Sequence, residues 1–350
     1  MASNSSYSKQ NAKEQIIRLK AITDELPGFV KIYFRGIESN TQPRTRTGYA
    51  YDIKYFFEFL HDTNPALKSK SLKEISLSDL NQLTALDVEE YMDYLSYYVR
   101  DGREYTNDAR SKKRKLCALR GLFKYLYIHD MIDQNVTEKV ATPKIKDKAI
   151  IRMESDEVAD FLDNVEFGNS LTNKQQAYHE RDKKRDLAMM TLMLSTGIRV
   201  SECVGLNLDD IDFNNSRIKV TRKGGNEAYV FFSDEAEQYL KDYIEERKKV
   251  ITVDGHEDAL FLSSHRKRIS VRSVENMVKK YARGSTHMKH ITPHKLRSTY
   301  GTALYQETGD IYLVADVLGH SDVNTTRKHY ADMDENKKRK VRNLVTLRED

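Results

Sequence analysis

The stretch RDLAMMTLMLSTGIRVSECV (185–204), followed by RIKVTRKGGNEAYVFF (217–232), decides how the second half of the chain is built. Leu187, Ala188, Met190, Leu192, Met193 and Leu194 predict a strongly apolar helix over 185–195, stopped by Gly197. RIKVT (217–221) and EAYVFF (227–232) are β-rich, and the Arg222-Lys223-Gly224-Gly225-Asn226 between them reads as a hairpin turn. Working outward, helical patterns are expected over 156–165, 234–249, 271–282, 293–307, 310–318 and 334–345. The polar run 166–184 shows no clear period and reads as an exposed insertion. The second half is therefore expected to be mostly α with a small antiparallel sheet.

The first half reads as helices alone. Apolar stripes run over 10–25, from Phe29 to Ile37 after Pro27, over 44–61, over 86–99 until Asp101-Gly102, and over 107–129. The last of these combines a stripe of Leu116, Leu119, Leu122, Phe123 and Leu126 with Arg110, Lys112, Lys113, Arg114 and Lys115 at its start. Such a start is either a solvated cationic face or a phosphate-contacting one. Residues 134–150 alternate Lys with small or apolar residues around Pro143, as an extended basic linker would. The expected organisation is mainly α: a helical domain over 1–140, a linker over 141–151, and a mostly helical α+β domain over 152–350.

Composition narrows the function classes. A chain of 350 residues has room for two domains. With 58 Lys plus Arg against 53 Asp plus Glu, the net charge of +5 is modest, so binding to nucleic acid must rest on where the charge sits. Only 15 Gly and 5 Pro argue against disorder and turn-rich all-β folds. Cys117 and Cys203, the two cysteines, form no C-x-x-C pair and read as core thiols in a reducing compartment. Residues 1–15 hold no apolar signal core, and no run approaches the ~20 apolar residues that span a bilayer, so a cytoplasmic protein with no membrane partner is expected.

The chemistry-bearing residues lie in the second half. Thr292-Pro293 suits a helix start, which puts His294 and Arg297 three apart on one face near helix N–H groups that favour an anion. Alone, H-x-x-R is a weak signal and reads first as a satisfied surface or interface pair. Leu318-Gly319-His320 reads as a helix stop with His320 at a corner, and Tyr330 follows ten residues later. Arg199 emerges where the chain restarts after Gly197, with Ser201 and Glu202 placed to cap that restart, and Lys223 stands at the hairpin tip. Two Arg, one Lys, two His and one Tyr, with no carboxylate cluster, are what metal-free chemistry at a phosphodiester needs. Guanidiniums hold the non-bridging oxygens, a phenol attacks phosphorus, a base takes its proton, and an acid protonates the leaving 5′-oxygen.

The segments TGIRVSE (196–202), TRKGG (221–225), TPHKLRST (292–299) and VLGHSDVNTT (317–326), with Tyr330, resemble the tyrosine recombinases, the phage-integrase family. The resemblance covers about 152–335, is most like the Xer recombinases of the single-protein XerS branch, and makes the helical first half a core-binding domain of the SAM-like bundle type. It implies that Tyr330 forms a 3′-phosphotyrosyl bond, Arg199 and Arg297 clamp the phosphate, and Lys223 protonates the 5′-oxygen. It further implies that His294 moves the tyrosine proton, His320 bonds a phosphate oxygen and Glu202 orients Arg199. Neither ATP, metal nor other cofactor is implied. The implied partners are a double-stranded DNA site, three further copies of the chain on two duplexes, and a septal DNA translocase; the implied task is chromosome dimer resolution. The same motifs serve integrases of mobile elements, relaxing or telomere-resolving enzymes, and DNA-binding proteins with a silent catalytic domain. A separate arm-binding domain is not expected, because too little sequence precedes residue 26. Ser298 stands where many members carry His, and 166–184 exceeds the shortest Xer proteins. Phosphate contacts are expected from Arg44, Arg46, Arg110, Lys112, Lys113 and Arg114, from Lys144, Lys146 and Lys148 in the linker, and from Arg266, Lys267, Arg268 and Arg272. The tail after Tyr330, with Val341, Leu344, Val345 and Leu347, is expected to pack on a neighbouring protomer.

Overall fold

The computed structural model describes residues 7–100, 102–146, 151–222, 225–285, 290–320 and 323. The chain divides into two compact units between 148 and 149.

In the first unit, α1 (Tyr7–Thr23), α2 (Gly28–Gly36), α3 (Pro43–Thr63), α4 (Leu77–Asn81), α5 (Ala85–Tyr94) and α6 (Ala109–Ile128) surround one apolar core. Each helix starts where the local sequence supplies a start. Pro43 occupies the first turn of α3, Ser76 and Thr84 make capping boxes with Asp79 and Asp87, and Asp108 accepts from the Ser111 N–H. Ile53, Phe56, Phe57, Tyr91, Leu119, Leu122 and Phe123 are sealed inside. Burial of each such side chain contributes about 1.5–3 kcal/mol, so α3, α5 and α6 are held by their shared face. Residues 86–99 do not form one helix to the end. After α5 the chain pairs β1 (Tyr98–Arg100) with β2 (Arg103–Tyr105), a hairpin over which Tyr94, Tyr98 and Tyr105 stack at 4.9 and 5.2 Å.

The second unit is built on α7 (Ser155–Phe167), α8 (Asn173–Thr196), α9 (Val200–Gly205), a sheet of β3 (Ile211–Asp212), β4 (Arg217–Thr221) and β5 (Glu227–Phe231), then α10 (Asp234–Arg247), α11 (Val271–Ser285), α12 (Pro293–Thr308) and α13 (Ile311–Leu318). The strands are antiparallel in the order β3-β4-β5, with Ile218 opposite Val230 on the buried face. Helix α8 is central and packs against α7, α10 and α12.

The run 166–184 is not an exposed insertion. Most of it is the first half of α8, opened by the Thr172–Gln175 capping box. Its buried face is polar, which hid the helical period. His179 is fully buried, with Nδ1 3.1 Å from Tyr281 Oη and Nε2 3.2 Å from Glu166 O. Tyr281 Oη donates to the buried Asp186 carboxylate at 2.7 Å, and Arg185 and Lys280 pair with the same carboxylate. Cys117 corrects a second expectation. It lies on the outer face of α6 and is exposed, whereas Cys203 is buried. Among the described residues, no helix is long and apolar enough to cross a membrane. The helix expected over 334–345 lies outside the described residues.

Candidate active site

Two left-handed glycine caps build the site. Helix α8 ends at Gly197 (φ 62°), which frees the chain to turn so that Arg199 becomes the N-cap of α9. Helix α13 ends at Gly319 (φ 62°) in a Schellman arrangement: the His320 N–H donates to Ala315 O at 2.9 Å and the Gly319 N–H to Asp316 O at 2.8 Å. That motif satisfies two terminal carbonyls of α13 and leaves the next three for side chains.

Arginines take all three. Arg222 Nη2 donates to Val317 O at 3.0 Å, Arg297 Nη2 to Leu318 O, and Arg199 Nη2 to Gly319 O at 3.1 Å. The negative end of the α13 dipole faces these cations, which favours them further. Arg297 is buried on α12 and its Nη1 also donates to Gly197 O at 2.7 Å, so one guanidinium joins both glycine caps. Arg199 is fixed from the other side by Glu202. That carboxylate, only 3% exposed, accepts from the Arg199 N–H at 2.8 Å and from Arg199 Nη1 at 2.7 Å. Arg199 keeps 32% of its side chain accessible, so it is oriented from below and open to a ligand. A guanidinium has five donors in a fixed fork, and binding two of them sets its plane.

The structure therefore brings Arg199, Glu202, Arg297 and the backbone of His320 together. His294 is exposed in the first turn of α12, and its carbonyl accepts from Ser298 Oγ at 3.1 Å. Lys223 and Tyr330 lie outside the described residues, as do Lys148 and the tail with Val341, Leu344, Val345 and Leu347. Arg222 was missed in the sequence. The Arg-Lys pair at a hairpin tip gave no sign that the arginine reaches a helix end far along the chain.

The expected phosphate contacts divide. Arg44, Arg110, Lys113, Lys144, Lys146, Arg266 and Lys267 are exposed, and Lys112 is half-buried with its Nζ on Ser96 Oγ. Arg114 is exposed but pairs with buried Asp52. Arg46 departs from the basic surface expected of it: it is buried, with Nη1 2.9 Å from Glu38 Oε1. Arg268 departs likewise, donating to Val204 O, Leu206 O and Asn207 Oδ1, and so ties loops inside its unit. Arg272 is exposed and pairs with Glu275 at 3.3 Å.

Two guanidiniums are fixed to backbone carbonyls of one corner, and that of Arg199 stays accessible to an anion. Residues 152–337 match the phage integrase family, and the chain belongs to it: it is a site-specific tyrosine recombinase, an enzyme of DNA strand cleavage and rejoining. The chain is 35% identical over 342 residues to the tyrosine recombinase XerS of Streptococcus uberis, covering 89% of this chain and 93% of that protein. It is 33% identical over 360 residues to XerS of Streptococcus pyogenes, covering 95% and 98%. In fold it is similar to a lambda integrase dimer bound to a core site (TM-score 0.61, 17% identity, 86% of this chain and 93% of that one).

Proposed function

We propose that this chain resolves chromosome dimers in the cytoplasm, as four copies acting on two DNA duplexes through a Holliday junction. Tyr330 Oη attacks the scissile phosphorus while the bond from phosphorus to the 5′-oxygen breaks, leaving a 3′-phosphotyrosyl link and a free 5′-hydroxyl. His294 takes the tyrosine proton and Lys223 gives one to the 5′-oxygen. Arg199 and Arg297 hold the two non-bridging oxygens and offset the charge that builds on them, and His320 donates to one of those oxygens. Glu202 keeps the Arg199 fork in plane. The bond energy stays in the phosphotyrosine, so rejoining by another strand's 5′-hydroxyl needs no ATP and the chemistry uses no metal.

One observation carries the reading. Arg199 and Arg297, from separate helices, are fastened to neighbouring carbonyls of the segment that holds His320 and runs on to Tyr330. The XerS likeness along nearly the whole chain supports the dimer-resolving task. Exposed Arg44, Arg110, Lys113, Lys144 and Lys146, with Lys112, are the phosphate contacts of the first unit in this reading. A septal DNA translocase is the regulator this task brings with it.

The test uses a supercoiled plasmid carrying two direct copies of a chromosomal fragment selected by its binding to the protein. Wild type is expected to split it into two circles, and Tyr330→Phe to leave it whole. Relaxation without strand exchange would overturn the recombinase reading in favour of a topoisomerase-like one. Insertion into unselected DNA would overturn the chromosomal task.

A further inference from the structure

The β4–β5 hairpin ends in a tight backbone turn at Arg222. Its N–H donates to Asn226 O at 2.7 Å, and its carbonyl accepts from the Gly225 N–H at 3.0 Å. From that turn the side chain crosses to α13 and donates to Val317 O at 3.0 Å. Its charged neighbours are Arg199, Glu202 and Asp316. Burial and the positive charge of Arg199 disfavour the Arg222 cation here, while Glu202 and Asp316 favour it. The carbonyls at the α13 terminus supply the rest of its holding force. Gly319 leaves the space it needs, because a Cβ there would overlap the guanidinium.

Three arginines thus sit on three successive carbonyls, but only two come from the helical elements that bear the phosphate clamp. The third comes from the hairpin. We propose that Arg222 is a positioning residue for strand cleavage: it anchors the hairpin to the corner at Leu318-Gly319-His320 and so fixes the next residue, Lys223, relative to the phosphate clamp. This rests on the reading of Lys223 as the acid for the 5′-oxygen. Lys223 follows Arg222 directly in the chain, so loss of the Arg222 anchor is expected to act on it first.

In the cleavage step the bond from Tyr330 Oη to phosphorus forms, the bond to the 5′-oxygen breaks, and a proton passes from Lys223 Nζ to that oxygen. With sulfur in the bridging position the group leaves as a thiolate and needs no proton. A fault confined to acid placement therefore disappears with sulfur, whereas a fault in the clamp or the fold persists.

The experiment is single-turnover cleavage by the full-length protein of matched DNA with bridging oxygen or bridging sulfur at the scissile position. Arg222→Met, Lys223→Met and Arg199→Met are compared with wild type. On oxygen, Arg222→Met is expected to be slower by roughly 10–100-fold, and on sulfur to come within about threefold of wild type. Lys223→Met should show the same pattern and Arg199→Met should be slow on both. Arg222→Lys, which keeps a donor for Val317 O, should recover part of the oxygen rate and guards against a variant that simply misfolds. Equal losses of Arg222→Met on both substrates, or no loss on oxygen, would overturn the proposal. If sulfur fails to rescue Lys223→Met, the reading of Lys223 as the acid falls and the proposal with it. If sulfur rescues Lys223→Met but not Arg222→Met, the proposal alone falls.

Discussion

Replacing Glu202 by Gln perturbs the site by one atom and one charge. The carboxylate now accepts twice, from the Arg199 N–H at 2.8 Å and from Arg199 Nη1 at 2.7 Å, in a place where only 3% of the side chain is exposed. A glutamine has one acceptor oxygen and an NH2 donor. Whichever way it turns, one of the two Arg199 donors faces another donor. A lost hydrogen bond to a charged group costs about 1.5–3 kcal/mol, so a stability loss of about 2–3 kcal/mol is expected. The second unit spans 149–350. For a domain of that size 1 kcal/mol shifts Tm by about 2–4 °C, which predicts a fall of about 4–12 °C in its unfolding transition. Arg199 would also lose the plane that Glu202 sets, and under the proposed role of Arg199 in the phosphate clamp single-turnover cleavage should fall by roughly 10–100-fold. The two measurements belong together: calorimetric unfolding of the full chain, and cleavage of nicked substrate by the folded fraction. Unchanged Tm and cleavage would refute the account of Glu202. A lowered Tm with undiminished cleavage per folded molecule would show that Glu202 holds the fold but not the Arg199 fork.

Three further outcomes follow from other parts of the structure. Asp186→Ala leaves Arg185, Lys280 and the Tyr281 hydroxyl around a missing carboxylate and should lower stability by about 3–5 kcal/mol in urea unfolding. Burial, and then the charge of Glu202, push the Cys203 thiol up, whereas Cys117 is exposed; a thiol reagent at neutral pH should therefore modify Cys117 alone in the native protein and both after denaturation. Gly319→Ala places a Cβ against the Arg222 guanidinium on a left-handed backbone, so it should cost at least about 1–2 kcal/mol in thermal unfolding and slow cleavage more than Tyr312→Ala, on the exposed face of α13.

Much of the second unit was legible because its punctuation is local. Gly197 and Gly319 mark helix ends in sequence and sit at φ 62° in the structure, and the glycine-bearing turn after Thr221 joins two strands as expected. The pairing of Arg199 with Glu202 is also local, three residues apart on one turn. The first half of α8 was hidden because its buried position is His179 rather than an aliphatic residue; the signal present was the Thr172–Gln175 capping box. The β1–β2 hairpin lay behind an Asp-Gly pair that read as a helix stop but is equally a turn signal. Arg46 and Arg268 look like surface cations in sequence, and only long-range partners, Glu38 across a turn and the carbonyls of Val204 and Leu206, draw them inward. Arg222 was invisible for the same reason: its acceptor on α13 lies far along the chain, and no spacing rule links a hairpin tip to a helix C-terminus.

The most direct test of the central claim is capture of the covalent intermediate. Nicked DNA carrying the selected site is incubated with wild type or Tyr330→Phe in EDTA and resolved on a denaturing gel, and the modified peptide of any adduct is mapped. Wild type is expected to give a protein–DNA band linked through Tyr330 to a 3′-phosphate, and Tyr330→Phe to give none. An adduct that persists in Tyr330→Phe, or DNA that is bound and cut only when a divalent metal is added, would contradict the central claim.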